Sequence, residues 1–351
     1  MVDEVYMRRC LDLAELGNGQ VSPNPMVGCV IVHENKIIGE GHHVKIGQAH
    51  AEVNAIKSVI ETYGEQSSDL LKASVVYVNL EPCAHFGKTP PCADLLIKHR
   101  VKKVVIGTRD PFTDVNGKGI EKLLAAGIEV LTGILEQECK HFNRRFFTRV
   151  LNQRPYIILK WAQTANGFFA PLNNIQKWIS TPLAKKLSHK WRQEEDAILV
   201  GKKTIIADDP QLTAREWIGK QPIRLIIDKN LEVPPNKRVF NNESKTIVLN
   251  ELKTEVVDHI HYIQMEDMQF YLPQKVAYQL YLMDIQSVII EGGANIINQF
   301  ISAHLWDEAR VFTSHLSWET GIHAPRINGF IDEVIEINTD KLMIYQNTFH
   351  S

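Results

Sequence analysis

The feature that most restricts how this chain can fold is a set of metal-type side chains far apart in sequence. His50-Ala51-Glu52 comes first; a strand's length later comes Glu81-Pro82-Cys83-Ala84-His85-Phe86-Gly87-Lys88-Thr89-Pro90-Pro91-Cys92. One imidazole and two thiols suit a tetrahedral zinc ion whose fourth position stays open. A structural zinc finger usually shows close Cys-x-x-Cys pairs, whereas eight residues separate Cys83 from Cys92 and no fourth ligand stands at a matching spacing. Free cysteines often do no more than fill a core, yet here His-x-Glu, Pro-Cys and a second cysteine occur together and in order. The fold must therefore bring the segment starting at His50 against the loop that follows Leu80.

Glu52 lies two residues after His50 and is not needed as a ligand. A carboxylate so placed can take a proton from an activated water and pass it to a departing amine, which is aminohydrolase chemistry. His85, between the thiols, is the alternative ligand should His50 prove remote.

Hydrophobic periodicity places these groups. Asp3 to Leu16 has helical spacing, and Asn18-Gly19 to Pro25 is loop. Val27 to Val32 and Lys36 to Gly41 are β-rich runs joined at His33-Glu34-Asn35, a hairpin. His50 to Tyr63 carries Val53, Ile56, Val59 and Ile60 on one helical face, so His50 and Glu52 open a helix. Ser74 to Leu80 is a buried strand, and Pro90-Pro91 opens a helix to about His99, with Cys92 near its positive end. Val101 to Gly107, Gly119 to Ala126 and Ile128 to Thr132 read as strand, helix and strand. The pattern is a layered α/β domain ending near Val150.

At 351 residues the chain is long enough for two domains, 1–150 and 151–351, with Arg149 to Pro155 as linker. With 39 basic and 41 acidic residues, no global basic surface argues for nucleic acid. Five cysteines and the acidic start Met-Val-Asp-Glu-Val-Tyr suggest a reducing cytoplasm, and no apolar run approaches the roughly 20 residues that span a bilayer.

In the second half, strand-like runs at Tyr156–Lys160, Ala197–Val200, Ile223–Ile227, Thr246–Leu249, Val288–Ile290 and Ala309–Thr313 alternate with helical stretches such as Pro182–Arg192 and Ala294–Ala303. Such alternation predicts a mostly parallel sheet with helices on its faces. Glu291-Gly292-Gly293-Ala294-Asn295 follows a strand and opens a helix, where backbone amides could meet a phosphate or merely form a tight turn. No GxGxxG is present, which disfavours a Rossmann domain. Ala207-Asp208-Asp209-Pro210-Gln211-Leu212-Thr213-Ala214-Arg215 reads alone as a solvated loop.

These residues together carry a family resemblance. Pro23-Asn24-Pro25-Met26-Val27-Gly28, the approach from Gly41-His42 to Gly47, and the long cysteine loop resemble the bifunctional riboflavin-biosynthesis deaminase/reductases; other zinc nucleobase deaminases carry a short Pro-Cys-x-x-Cys. Lys160-Trp161-Ala162, Trp178-Ile179-Ser180, Thr204 to Arg215 and Glu291-Gly292-Gly293 are similar to the reductase half of the same family. The resemblance covers nearly the whole chain. It implies an α/β protein with a cytidine-deaminase-like three-layer domain and a dihydrofolate-reductase-like domain. It further implies one zinc per chain on His50, Cys83 and Cys92, with Glu52 as proton shuttle. Asn24, His42, Lys88 and Asp110 would hold a phosphoribosylated aminopyrimidine. NADPH would lie against Ala162, Trp178, Thr204, Asp208, Gly293, Ala294 and Asn295, and Lys160, Gln176, Arg192, Leu212, Arg215 and Glu291 would face the reductase substrate. A homo-oligomer is also implied.

The chain departs from the family pattern at Phe112 (usually asparagine), at Thr164-Ala165-Asn166-Gly167 (usually Ser-x-Asp-Gly) and at Gln176-Lys177 (usually Ser-Gln). Three rival readings remain at this stage. They are a deaminase with a non-catalytic second domain, a polynucleotide deaminase, and a zinc-stabilised binding module without turnover.

Overall fold

The computed structural model describes residues 2–84, 90–112, 115–172 and 179–348. The chain divides into two compact units, Met1–Gln153 and Arg154–Ser351. No described helix is long and apolar enough to cross a membrane.

The first unit runs α1 (Val2–Glu15), β1 (Gly28–His33), β2 (Lys36–His42), α2 (Ala51–Tyr63), α3 (Ser67–Lys72), β3 (Val75–Leu80), α4 (Cys92–His99), β4 (Lys103–Thr108), α5 (Lys118–Ala125), β5 (Glu129–Thr132), α6 (Glu136–Phe142) and α7 (Arg144–Asn152). Its sheet has the order β2-β1-β3-β4-β5. β1 pairs antiparallel with β2 and β3, while β3, β4 and β5 are parallel. The strands are rich in β-branched residues, and their period of two sends alternate side chains to opposite faces. Cys29, Ile31, Val76, Val78, Val104 and Ile106 pack with Ala55, Val59, Leu96 and Leu123 of the helices on one face. Val30, Val32, Tyr77 and Val105 pack with Met7, Cys10, Leu13 and Cys139 on the other. Three layers result, as the helix and strand periodicities predict. Gly39 and Gly41 of β2 lie directly beneath α2, where any Cβ would run into the Ala55 and Ala51 backbone. This close approach sets where α2 begins, and so where His50 and Glu52 sit.

The second unit runs β6 (Tyr156–Gln163), β7 (Phe168–Ala170), α8 (Pro182–Glu194), β8 (Ala197–Gly201), α9 (Lys202–Asp208), β9 (Ile223–Ile227), β10 (Thr246–Asn250), β11 (Glu255–Val257), β12 (Ile260–Gln264), α10 (Leu272–Leu282), β13 (Ser287–Gly292), α11 (Ala294–Ser302), β14 (Glu308–Thr313), β15 (Ile322–His323), β16 (Gly329–Ile337) and β17 (Asp340–Asn347). Its main sheet has the order β11-β12-β10-β9-β8-β13-β6-β14-β17-β16. The strands from β12 to β14 in that order are all parallel, and antiparallel pairing appears only toward the edges. The central strands are apolar on both sides, as a sheet covered by helices requires. Leu159, Leu199, Leu225, Ile247 and Ile290 meet Val276, Leu280, Ile297 and Phe300; Ile198, Val200, Ile226 and Val248 face Ile205 and Val239. β13 returns late in the chain to lie between β8 and β6, so the carboxyl ends of these strands make a switch-point crevice of the kind that takes ligands.

The structure refines one local expectation and corrects another. The two units meet inside the stretch Arg149 to Pro155, most of which is helical, because α7 continues through Asn152 and stops at Gln153 with φ +51. Its polar run is one side of an amphipathic helix anchored by buried Phe146. Ala207 and Asp208 are the last residues of α9 rather than loop.

Candidate active sites

In the first unit α2 opens at His50, whose side chain makes no cap to the helix and is turned instead toward the cysteines. Its Nδ1 lies 3.3 Å from Cys92 Sγ and 3.6 Å from Cys83 Sγ. The three donor atoms all fall within 4.8 Å of one another. A tetrahedral ion with zinc's usual bond lengths separates a bound nitrogen from a bound sulfur by about 3.6 Å, so the spacing and the chemistry of these donors fit zinc. Cys92 starts α4, and its backbone N–H donates to Cys83 Sγ at 3.3 Å. Hydrogen bonds from the Cys92 thiol and from His50 pull the Cys83 thiol down to about 4. Cys92, the donor in that pair, is pushed up by the same bond and by burial. Glu52 is buried in the first turn of α2, and burial followed by the negative charge of Cys83 pushes its carboxyl up.

These groups open on a cavity of about 310 Å³ lined in part by Asn24, His43, Glu81, Asp110, Phe112 and Arg149. The structure brings Asn24 and Asp110 to the pocket with Glu52, His50 and Cys83. Besides His50, the imidazole lining it is His43, not His42; His42 ends β2, half-buried, and its carbonyl accepts from the Asn54 side chain. His43 Nδ1 lies 3.1 Å from the Ala49 carbonyl, which can only accept, so Nδ1 carries the proton and Nε2 accepts from the Asn24 amide at 3.1 Å. That bond orients Asn24. Two buried asparagines then hold its loop: Asn143 takes both the N–H and the carbonyl of Met26, and Asn79 takes the Gly28 N–H and the Met26 carbonyl. Asp110 accepts from the Phe112 N–H at 2.8 Å, closing a tight turn. Lys88 and His85 lie outside the described residues. Asn79 and Asn143 gave no sequence signal, since their partners are far away along the chain.

In the second unit, Glu291 at the end of β13 receives a two-pronged hydrogen bond from Arg192 of α8, Nε at 3.1 Å and Nη2 at 2.8 Å. Arg192 also donates to the Thr213 carbonyl, next to buried Leu212. Burial works against the Glu291 charge, but Arg192 and then Lys160 hold its carboxyl down to about 2. Lys160, near the end of β6, is itself lowered by burial against the pull of Glu291. Arg215 is exposed overall, and partial loss of water followed by the charge of Arg192 lowers it. The structure thus groups Lys160, Arg192 and Glu291, with Leu212 and Arg215 on the segment beside Arg192.

A cavity of about 600 Å³ lies at the ends of β8, β9 and β13, lined in part by Thr204, Asp208, Gly293, Ala294 and Asn295. Gly293 opens α11 at φ +52 with no side-chain cap, which leaves helix N–H groups for a ligand. A Cβ on Gly292 would crowd the Thr204 side chain, so this turn packs over α9. Burial raises the Asp208 carboxyl. Lys202, Lys203 and Lys229 also line the cavity and were not singled out from the sequence. Ala162 is half-buried on β6 and is not among the lining residues. Trp178 and Gln176 lie outside the described residues.

A three-layer domain with a His-Cys-Cys donor set beside a buried glutamate, and a parallel sheet with a phosphate-type helix start at its switch point, define a zinc aminohydrolase joined to a nucleotide-dependent reductase. Residues 1–108 match the zinc-binding region of cytidine and deoxycytidylate deaminases, and residues 155–314 match the RibD C-terminal domain. The riboflavin biosynthesis protein RibD of Aquifex aeolicus is 40% identical over 315 residues, covering 89% of this chain and 86% of its own. A Thermotoga maritima structure described as a diaminohydroxyphosphoribosylaminopyrimidine deaminase/5-amino-6-(5-phosphoribosylamino)uracil reductase superposes with TM-score 0.90 at 35% identity, covering 99% of both chains. Acinetobacter baumannii RibD superposes with TM-score 0.89 at 32% identity over the same shares. The chain belongs to the RibD family, the bifunctional deaminase/reductases of riboflavin biosynthesis.

Proposed function

We propose that the first unit hydrolyses the 2-amino group of 2,5-diamino-6-(5-phosphoribosylamino)pyrimidin-4(3H)-one, and that the second reduces the ribosyl group of the deaminated product to ribityl with NADPH. The observation that carries the first step is the convergence of His50, Cys83 and Cys92 on one another, with His50, Cys83 and buried Glu52 lining one cavity. His50, Cys83 and Cys92 would hold the zinc, which when bound acts as a Lewis acid that makes water a nucleophile near neutral pH. Glu52 accepts a proton from the attacking water and returns it to the departing nitrogen, so the amino group leaves as ammonia and oxygen takes its place. Asn24, oriented by His43, offers both a donor and an acceptor to a pyrimidinone edge. Asp110 lines the same pocket.

For reduction, NADPH supplies the hydride, and the chain's part is to hold the reacting carbon and exclude water. Thr204, Asp208 and the turn from Gly293 to Asn295 bind the cofactor. Arg192 and Arg215 suit the substrate phosphate, Glu291 suits sugar hydroxyls, and Lys160 orients or protonates the opening sugar. The near-balanced charge supports a small molecule over a polynucleotide as substrate. The exposed apolar side chains Phe330, Ile331 and Val334 on edge strand β16 support a homo-oligomer.

The test records ammonia release with and without NADPH, and NADPH oxidation in parallel, on zinc-analysed protein. Ammonia in both cases, with oxidation following deamination, is expected. Ammonia without oxidation would sink the reductase assignment, and no ammonia from zinc-loaded protein would sink the deaminase. Glu52→Gln should keep zinc and lower deamination by about a thousandfold, within the usual range for a general acid–base group.

A further inference from the structure

We infer that Glu81 is a positioning residue for deamination, holding the pocket wall of Asp110 and Phe112 in register with Cys83; this rests on the deaminase reading above. Glu81 follows the last residue of β3 and stands two residues before Cys83. It is buried, and its backbone N–H donates to the Thr108 carbonyl at the end of β4. Its carboxylate accepts from four backbone N–H groups. Oε2 takes Asp110 at 3.3 Å and Gly117 at 3.0 Å; Oε1 takes Gly119 at 3.0 Å and Ile120 at 3.3 Å.

Two of those donors belong to the first turn of α5, whose N-cap residue, Gly117 at φ +80, has no side chain to satisfy them. Glu81 supplies that cap from another element, where a carboxylate also suits the positive helix end. Gly119 shows how closely the junction is built, since a Cβ there would collide with the Pro82 carbonyl. One side chain therefore ties the start of α5 and the first residue of the Asp110-Pro111-Phe112 turn to the residue that leads into Cys83. The Cys83 end is fixed in turn, its carbonyl accepting from the Ala93 N–H and its sulfur from the Cys92 N–H. Glu81 also lines the cavity with Asp110 and Phe112. Freeing the turn leaves the zinc donors in place and lets the pocket wall drift, so substrate binding suffers before chemistry does.

The experiment compares full-length, zinc-loaded wild type with Glu81→Gln and Glu81→Asp. Glutamine keeps the shape but turns N–H toward N–H, and aspartate keeps the charge with less reach. Zinc content, deaminase KM and kcat, and amide exchange across residues 92–99 and 109–120 are measured. For Glu81→Gln, unchanged zinc, a KM raised about tenfold with kcat within about threefold, and faster exchange confined to 109–120 are expected, with Glu81→Asp intermediate. Should the glutamine variant fail to fold, the aspartate variant carries the same measurements. Unchanged KM, unchanged exchange at 109–120, a fall in kcat alone, or loss of zinc would each overturn the proposal. If wild type releases no ammonia, the deaminase reading falls and the proposal with it; if wild type is active and the variants keep its KM, the proposal alone falls.

Discussion

Asn166 uses both ends of its amide on one residue, donating to the Trp318 carbonyl at 2.7 Å and accepting from the Trp318 N–H at 3.2 Å. Its oxygen also accepts from the Thr164 hydroxyl, which in turn accepts from the Phe168 N–H. The aspartate usual in the family pattern at this place could not donate to Trp318, so the departure is matched by its surroundings. Asn166→Asp should lose about 1 kcal/mol of second-unit stability. A denaturant midpoint equal to wild type would show that the paired amide does not matter. Glu291 gives a pH-dependent case. Its folded pKa of about 2 lies below the ordinary carboxylate value, so its contribution is complete above about pH 5 and fades as pH falls toward 2. Glu291→Gln should cost up to about 3 kcal/mol at pH 7 and converge on wild type as pH falls below about 4. A gap that stays constant from pH 7 to 3, read by chemical denaturation, would contradict the ion-pair account.

At the scale of elements, the start of α2 depends on two glycines in a neighbouring strand. Gly41→Ala places a methyl group against the backbone of Ala51 and Ala55, which cannot rotate away as a side chain could. We expect a loss of about 1–3 kcal/mol and weaker zinc retention, because His50 and Glu52 move with the helix; a competition titration against a chelator reads the second effect. If zinc affinity holds while stability falls, the packing does not set the site. The same elements show what sequence could and could not tell. The hairpin β1–β2, helix α2, strands β3 and β4, and the Gly292-Gly293 turn were legible because periodicity and turn residues agree there. β16 and β17 were not read, since β16 is largely exposed and lacks the alternation a half-buried strand displays. His42 comes from the family resemblance alone, while the histidine that lines the cavity beside His50 is its neighbour His43; past the end of β2 at His42, no period of two separates the two imidazoles. Glu81, Asn79 and Asn143 act on backbone groups brought near only by folding, so no local pattern marks them.

At the scale of the whole molecule, each unit closes its own cores. The clusters of the first unit draw on residues up to Cys139, and those of the second begin at Tyr156. A chain built this way should unfold in two transitions, each answering to its own ligand. Metal bound only by the folded first unit contributes directly to that unit's stability, so a zinc chelator should lower one transition and leave the other in place. NADPH at about a hundred times its dissociation constant should stabilise the second unit by about 2.7 kcal/mol. For a unit of that size this amounts to a rise of about 5–10 °C in the other transition. Differential scanning calorimetry with chelator, with NADPH and with both separates the cases, because independent units give shifts that add without crossing. If both additions moved one common transition, the two units would be melting as one body. Separate cores would then not imply separate stability, and mutations placed in one unit would have to be assayed for their effect on both activities.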